Sequence, residues 1–258
     1  MICAIILLTR YINTERDFDE WFNHHIKLGF AHVYIYDNGV QFDLYSACAK
    51  YGSAVSYHTV NGHVCQFDIY TDCINSSNAD YLMPIDDDEY LWLNPEFKTI
   101  GDLLEHYGNP DCLGVRWKYM FPKRFNRVRN MPVLKYCTEQ NPDAAKLLCA
   151  GGDKLVKCIV KRDEFVRYKT ADEDIYRCHI PVTKSDKGAL LCDGTRTLME
   201  KVKDGGNEPI RLLHCPYKGY DEFLNTRGCN RYAVCRRKPM IRRGRLSFLK
   251  YVEAQYDH

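Results

Sequence analysis

No Cys-x-x-Cys pair occurs in this chain although it has 13 cysteines, and their odd number and scatter from Cys3 to Cys235 argue against a zinc ribbon and against a disulfide framework. The cysteines are expected to be buried thiols in a reducing compartment, packed as small apolar groups. An excess of charge of one sign is also missing. Lys and Arg number 36 against 34 Asp and Glu, a formal net charge of +2, so nothing general draws the chain to nucleic acid or to an anionic membrane. Long apolar runs are absent as well. Residues 2–8 (ICAIILL) are too few to span a bilayer and lack the basic flank and cleavage site of a signal peptide. That run reads as a buried first strand, and the chain reads as soluble and cytoplasmic, with no integral membrane segment and no nucleic-acid partner. There is no internal repeat and no low-complexity segment.

What is present is an ordinary globular composition over 258 residues, 45% hydrophobic and 13% aromatic, enough for one compact domain. Behind the first strand comes a polar stretch, 9–16. A helical pattern follows around Phe18, Trp21, Phe22, Ile26 and Leu28, and Gly29 closes it as a C-terminal cap. Residues 32–36 form a second short apolar run that stops at the turn Asp37-Asn38-Gly39. Strand, helix, strand and polar turn make a βαβ unit. The rhythm continues with a helix over 43–50, a strand at 54–57, a helix over 65–75 and a strand over 81–85. The fold class is therefore α/β, with a central mostly parallel sheet flanked by helices. Ligands of such sheets sit beyond the carboxyl ends of the strands, where segments 9–16, 37–39 and 86–89 all fall. The second half is less regular, with strand-like pieces at 113–120, 153–160 and 210–214 and a basic tail over 221–257 that reads as helical.

Directly behind the strand at 81–85 stand four consecutive acids, Asp86, Asp87, Asp88 and Glu89. Like charges a few ångströms apart raise one another's pKa unless something positive sits among them, and a divalent cation meets that need. Asp86 and Asp88, two apart at a strand end, are expected to point to the same side at ~6 to 7 Å, suited to one ion directly or through water. All-oxygen ligands favour Mg²⁺ or Mn²⁺ over zinc and leave coordination positions for diphosphate oxygens. A solvated turn or a helix cap is the plainer reading of an isolated D-x-D. Here the acids lie inside YLMPIDDDEYLWL, an apolar frame that a solvated turn seldom has.

Four pieces follow one another in the first part of the chain: Glu20-Trp21 with His25 and Gly29; Tyr36-Asp37-Asn38; Gln66 through Tyr70, Asp72 and Cys73; and Ile85-Asp86-Asp87-Asp88-Glu89-Tyr90. In these the chain resembles GT-A glycosyltransferases of the glycosyltransferase 92 and "glycosyltransferase family 2, group 4" type. Thinner matches follow at Lys154, at His179-Ile180-Pro181, and at His214 with Tyr220-Asp221-Glu222-Phe223 behind it. The chain departs from the pattern at Gly39-Val40-Gln41, where a serine usually follows the turn, and at His214-Cys215, where His-Tyr is typical. The resemblance implies a GT-A, Rossmann-like fold of the nucleotide-diphospho-sugar transferases. Residues 1–93 would be the nucleotide-sugar-binding half, and 94–258 the acceptor-binding half with the helical tail. It implies a nucleotide pocket lined by Thr9, Arg10 and Glu15, with Asp37 and Asn38 meeting the base or ribose. Gln66 would lie near the sugar or diphosphate, with Asp87 beside the D-x-D pair Asp86 and Asp88, and His214 as a further ligand of Mn²⁺ or Mg²⁺.

The expected reaction moves a hexose from a nucleotide-sugar donor, a UDP-sugar in preference to a GDP-sugar, to a hydroxyl of a glycan or glycoprotein acceptor, with inversion. An inverting transfer needs a carboxylate to take the acceptor's proton, a contribution of ~10²- to 10⁴-fold. Asp153, behind Gly151-Gly152, is the first candidate, and Asp172 and Glu173 are the next. His24 and His25 lie inside the amphipathic helix and are expected to pack rather than bind. Trp117 is expected in the core, with stacking on a sugar as its alternative. Two other functions compete. Sugar-phosphate nucleotidyl transfer would need a glycine-rich phosphate loop behind the first strand, where none stands. A non-catalytic glycan- or nucleic-acid-binding module is opposed by the near-neutral charge and the concentrated acids.

Overall fold

The computed structural model describes residues 1–10, 12–62, 65–122, 131–138, 155–169, 179–199, 202–203 and 206–215. The chain divides into two compact units, Met1–Trp117 with Asp153–Leu213, and Lys118–Gly152 with His214–His258. In chain order the strands are β1 (Cys3–Thr9), β2 (His32–Asp37), β3 (Val55–Thr59), β4 (Tyr81–Pro84), β5 (Glu89–Leu93), β6 (Cys112–Tyr119) and β7 (Phe121–Pro122). They continue as β8 (Cys137–Thr138), β9 (Val156–Lys161), β10 (Phe165–Arg167), β11 (Val182–Thr183), β12 (Ala189–Leu190), β13 (Arg196–Thr197) and β14 (Ile210–His214). The helices are α1 (Glu15–Lys27), α2 (Leu44–Ala49), α3 (Gln66–Ser76), α4 (Ile100–His106) and α5 (Val133–Tyr136).

Ten strands form one sheet in the order β13-β12-β6-β9-β4-β1-β2-β3, with β14 pairing to β5 and β6. Strands β3, β2, β1 and β4 run parallel, and β9 is antiparallel to both β4 and β6. This is the α/β layout with a parallel core that the sequence predicts. The parallel register sets Thr9 beside Asp37, and Asp37 beside Thr59, so the carboxyl ends of β1, β2 and β3 are level. β1 reads as an unbroken apolar run because both of its faces are covered. Ala4 and Ile6 pack with Phe67, Tyr70, Cys73 and Ile74 of α3, while Ile5 and Leu7 are equally buried. β2 instead alternates, with Val33 and Ile35 buried between half-exposed neighbours.

Helix α1 begins where the Thr14 hydroxyl accepts the Asp17 N–H at 3.1 Å, and it ends at Leu28 and Gly29. Gly29 has φ +93°, and a Cβ there would lie 2.8 Å from Thr99 Cβ, so both backbone and space demand glycine. The buried face of α1 carries Phe18, Trp21, Phe22 and His25. His25 donates from Nδ1 to the Trp21 carbonyl at 2.8 Å, and its Nε2 accepts the Leu91 N–H at 3.3 Å. His24 donates from Nε2 to the Leu91 carbonyl at 2.6 Å. Both histidines therefore pack, as their place in the amphipathic helix predicts, and they tie α1 to β5.

In the second unit β7 and β8 pair antiparallel, and α5 between them buries Val133 and Tyr136. Among the described residues Cys65 is exposed, Cys192 half-buried and the other cysteines buried as free thiols. Burial pushes the Cys3 and Cys48 thiols up to about 12. Among the described residues no helix is long and apolar enough to cross a membrane.

Burial, with His24 nearby, holds the His25 imidazole well below its ordinary range. Below about pH 6.5 the unfolded chain takes up a proton that the folded chain excludes, so stability falls as pH drops through that range. The slope is at most about 1.4 kcal/mol per pH unit for one such group. His24 and His32, lowered by burial too, add with the same sign. Urea unfolding at about pH 7.5 and about pH 5 is expected to show a smaller acid loss in His25→Gln than in the parent. Equal losses in the two proteins would remove His25 from this role.

Candidate functional site

β4 stops at Pro84, and β5 begins at Glu89. Between them the Glu89 N–H donates to the Asp86 carbonyl at 3.1 Å and closes a tight turn. The strand alternation expected to align Asp86 with Asp88 therefore does not run through these residues. The four acids occupy different settings. The Asp86 side chain is 38% exposed, whereas Asp87, Asp88 and Glu89 are buried.

Three groups from distant parts of the chain hold this turn. The Trp21 indole N–H of α1 donates to the Asp86 carbonyl at 3.1 Å and to the Glu89 carbonyl at 2.8 Å. The Thr9 hydroxyl at the end of β1 donates to Asp87 Oδ2 at 2.5 Å. Lys157 of β9 donates from Nζ to Glu89 Oε2 at 2.7 Å and lies 3.0 Å from Asp86 Oδ2. Glu89 Oε2 also accepts the Asp86 N–H at 2.8 Å, so one carboxylate oxygen fixes both the turn and the lysine.

Lys157 is buried, which by itself disfavours the ammonium, yet Asp86 and Glu89 outweigh burial and hold its pKa above the ordinary lysine range. The buried Tyr70 hydroxyl is pushed up by burial and then by Asp86, so it stays neutral. A cavity of about 10 Å³, space for one water, lies between Tyr70, Lys157, Tyr168 and His179. Lys157 Nζ stands 5.9 Å from the ring centre of Trp117, which is buried as predicted.

The other predicted site residues fall as follows. Asp37 Oδ1 accepts the Gly39 and Val40 N–H groups at 2.9 Å each, and Oδ2 accepts the Tyr57 hydroxyl at 2.7 Å. The Asn38 N–H donates to the Thr9 carbonyl at 2.9 Å, which joins the ends of β1 and β2. Arg10 is exposed behind Thr9. Glu15, in the first turn of α1, pairs with Lys50 at the surface. Gln66 is the first residue of α3. His214 belongs to the second unit, where its ring lies 5.0 Å from that of Tyr119 and its carbonyl accepts the Met120 N–H. Asp153, Lys154, Asp172, Glu173 and the basic tail lie outside the described residues.

Among the described residues no three His, Cys, Asp or Glu side chains gather closely enough to hold a metal ion by themselves. The donor chemistry of the turn nevertheless fits Mg²⁺ or Mn²⁺, because its side chains offer carboxylate oxygen alone. Asp86 is the most exposed of the four acids. An ion held here would take its remaining ligands from water or a bound anion.

Lys157 is the site residue that reading the sequence missed. Its signal was present: one lysine inside the apolar run LVKCIV of a buried strand. Truncating Glu89 leaves the buried ammonium with the half-exposed Asp86 carboxylate in place of two carboxylates, so Glu89→Ala is expected to cost up to about 3–5 kcal/mol in denaturant unfolding. The pair Glu89→Leu, Lys157→Met is expected to recover most of that loss. Simple addition of two independent losses would mean the two side chains do not depend on each other.

S. aureus TarS (1–349) is similar in structure, with 12% identity and a TM-score of 0.42 over 88% of this chain and 66% of that one. The mannosyltransferase PcManGT of Pyrobaculum calidifontis, solved with GDP-Man and Mn²⁺, has 12% identity and a TM-score of 0.33 over 48% of this chain and 41% of that one. A CMP-2-keto-3-deoxy-manno-octonic acid synthetase with CTP has 11% identity and a TM-score of 0.35 over 63% and 75% of the two chains. The chain thus spans 66% of the TarS chain it matches, and likenesses of this degree carry no argument about substrate. No curated protein sequence matches the chain. Residues 11–169, more than half of the chain and all of the acidic turn with its Trp21 and Lys157 supports, match glycosyltransferase family 92. The chain has the α/β fold with a parallel sheet core expected of a GT-A enzyme, and it belongs to glycosyltransferase family 92.

Proposed function

We propose that this glycosyltransferase moves a hexose from a nucleoside-diphosphate sugar, a UDP-sugar by preference, to a hydroxyl of a glycan acceptor with inversion. One observation carries the reading: the acidic turn at 86–89 is fixed at the carboxyl end of β4 by Trp21, Thr9 and Lys157, in a chain of a glycosyltransferase family. That edge is where parallel α/β sheets bind their ligands. Asp86 and Asp88 would hold Mn²⁺ or Mg²⁺, which as a Lewis acid neutralises the charge developing on the departing nucleoside diphosphate. Asp37 and Asn38, beside Thr9 at the same level of the sheet, would meet the base or ribose. Arg10, Glu15 and Gln66 would line the donor side.

In the inverting reaction the acceptor oxygen forms its bond to the anomeric carbon as the bond from that carbon to the diphosphate oxygen breaks on the opposite face. The acceptor's proton passes to a carboxylate, for which we propose Asp153. Such a base contributes ~10²- to 10⁴-fold.

Calorimetric titration with UDP-sugars and GDP-sugars, in Mn²⁺ and then in EDTA, tests the reading. Binding is expected to need the ion and to weaken sharply in the Asp86→Asn, Asp88→Asn variant. Turnover in that variant is expected to fall ~10²- to 10³-fold or more, the loss typical of removing one preorganised charge-stabilising group. Donor binding indifferent to both EDTA and the substitutions would overturn the assignment of these two acids.

A further inference from the structure

The acidic turn already contains a cation of its own. Lys157 is 4% exposed in its side chain, and Glu89, which anchors it, is 0% exposed. The second carboxylate on the same ammonium is Asp86, at 3.0 Å and 38% exposed. Glu89 holds Lys157 Nζ beside Asp86 through a 2.7 Å hydrogen bond, with the Trp117 ring centre 5.9 Å away. Any ion that approaches Asp86 therefore meets a fixed positive charge on the same carboxylate.

We propose that Lys157 is a positioning residue that keeps Asp86 from a free divalent cation, so that the site takes the ion together with a nucleoside diphosphate. The inference rests on the reading of Asp86 as a metal ligand. An ammonium and a dication sharing one carboxylate repel each other strongly in a poorly solvated setting. The diphosphate brings the negative charge that offsets this repulsion. Ion and nucleotide are then coupled through Lys157, and by linkage each raises the other's affinity by the same factor.

The test compares Mn²⁺ binding, alone and with UDP, in the parent protein and in Lys157→Met, Glu89→Gln. That pair of substitutions leaves the summed charge of the four acids and position 157 unchanged but removes the ammonium from Asp86. The parent is expected to bind Mn²⁺ weakly alone and ~5- to 150-fold more tightly with UDP, the usual span of coupling between two ligands. The variant is expected to bind Mn²⁺ alone more tightly than the parent does and to lose most of the gain from UDP. Should that variant not fold, Lys157→Met, Glu89→Leu has the same charge sum and gives the same readout. A variant that binds Mn²⁺ alone no better than the parent, in a protein that still binds Mn²⁺ with UDP, overturns the role of Lys157 and leaves the donor reading standing. A parent that binds Mn²⁺ neither alone nor with UDP overturns both.

Discussion

A charged lysine sealed from water must be surrounded by carboxylates, and the end of β4 is arranged around that requirement. The antiparallel pairing of Leu82 with Val160 brings β9 past the end of β4 with Lys157 alongside the acidic turn. Glu89 then serves two demands with one oxygen, accepting both the ammonium and the Asp86 N–H. Burying an ion pair is expensive, and the cost is tolerable only where each remaining donor and acceptor finds a partner. Here the pair fixes which acid points inward and which stays open. Glu89 is committed to the lysine, Asp87 to Thr9, and Asp86 keeps a face toward solvent.

The rest of the unit serves the same turn from the other side. α1 lies against β5 through His24 and His25 and reaches the turn through the Trp21 indole, whose single N–H spans two carbonyls. A carbonyl left without a donor at such a bend would cost about as much as a lost hydrogen bond. Asp37 shows a related economy of parts at the end of β2. Its carboxylate closes the Asp-Asn-Gly turn with one oxygen and takes the Tyr57 hydroxyl with the other. A local turn and a position at the ligand edge are thus specified by one residue.

What the sequence made legible was local. The apolar runs of β1, β2 and β4, the amphipathic face of α1 and the glycine that ends it all follow from periods and caps within a dozen residues, whereas the alternating burial of β2 appeared only in the fold. The acidic cluster was visible as well, but its geometry was not. Strand alternation was the natural expectation after 81–85, and the Glu89 N–H to Asp86 carbonyl bond turned it into a bend. The counter-charge was harder still. Lys157 meets Glu89 across 68 positions of sequence, and no periodicity links a residue in one strand to a partner that far away. A divalent ion answered the problem of four adjacent acids on paper. In the folded chain part of the answer is a lysine.

The shared oxygen of Glu89 also has a consequence for descent. Because loss of either partner is expected to cost stability, drift at position 89 or 157 through single steps is disfavoured. A lineage crosses by a paired change, or by passing through an intermediate weakened in folding. The two positions are therefore expected to behave as one inherited character, although among the described residues helices α4 and α5 and strands β6, β7 and β8 lie between them in the chain. Comparing relatives at this pair would show whether the two positions change together.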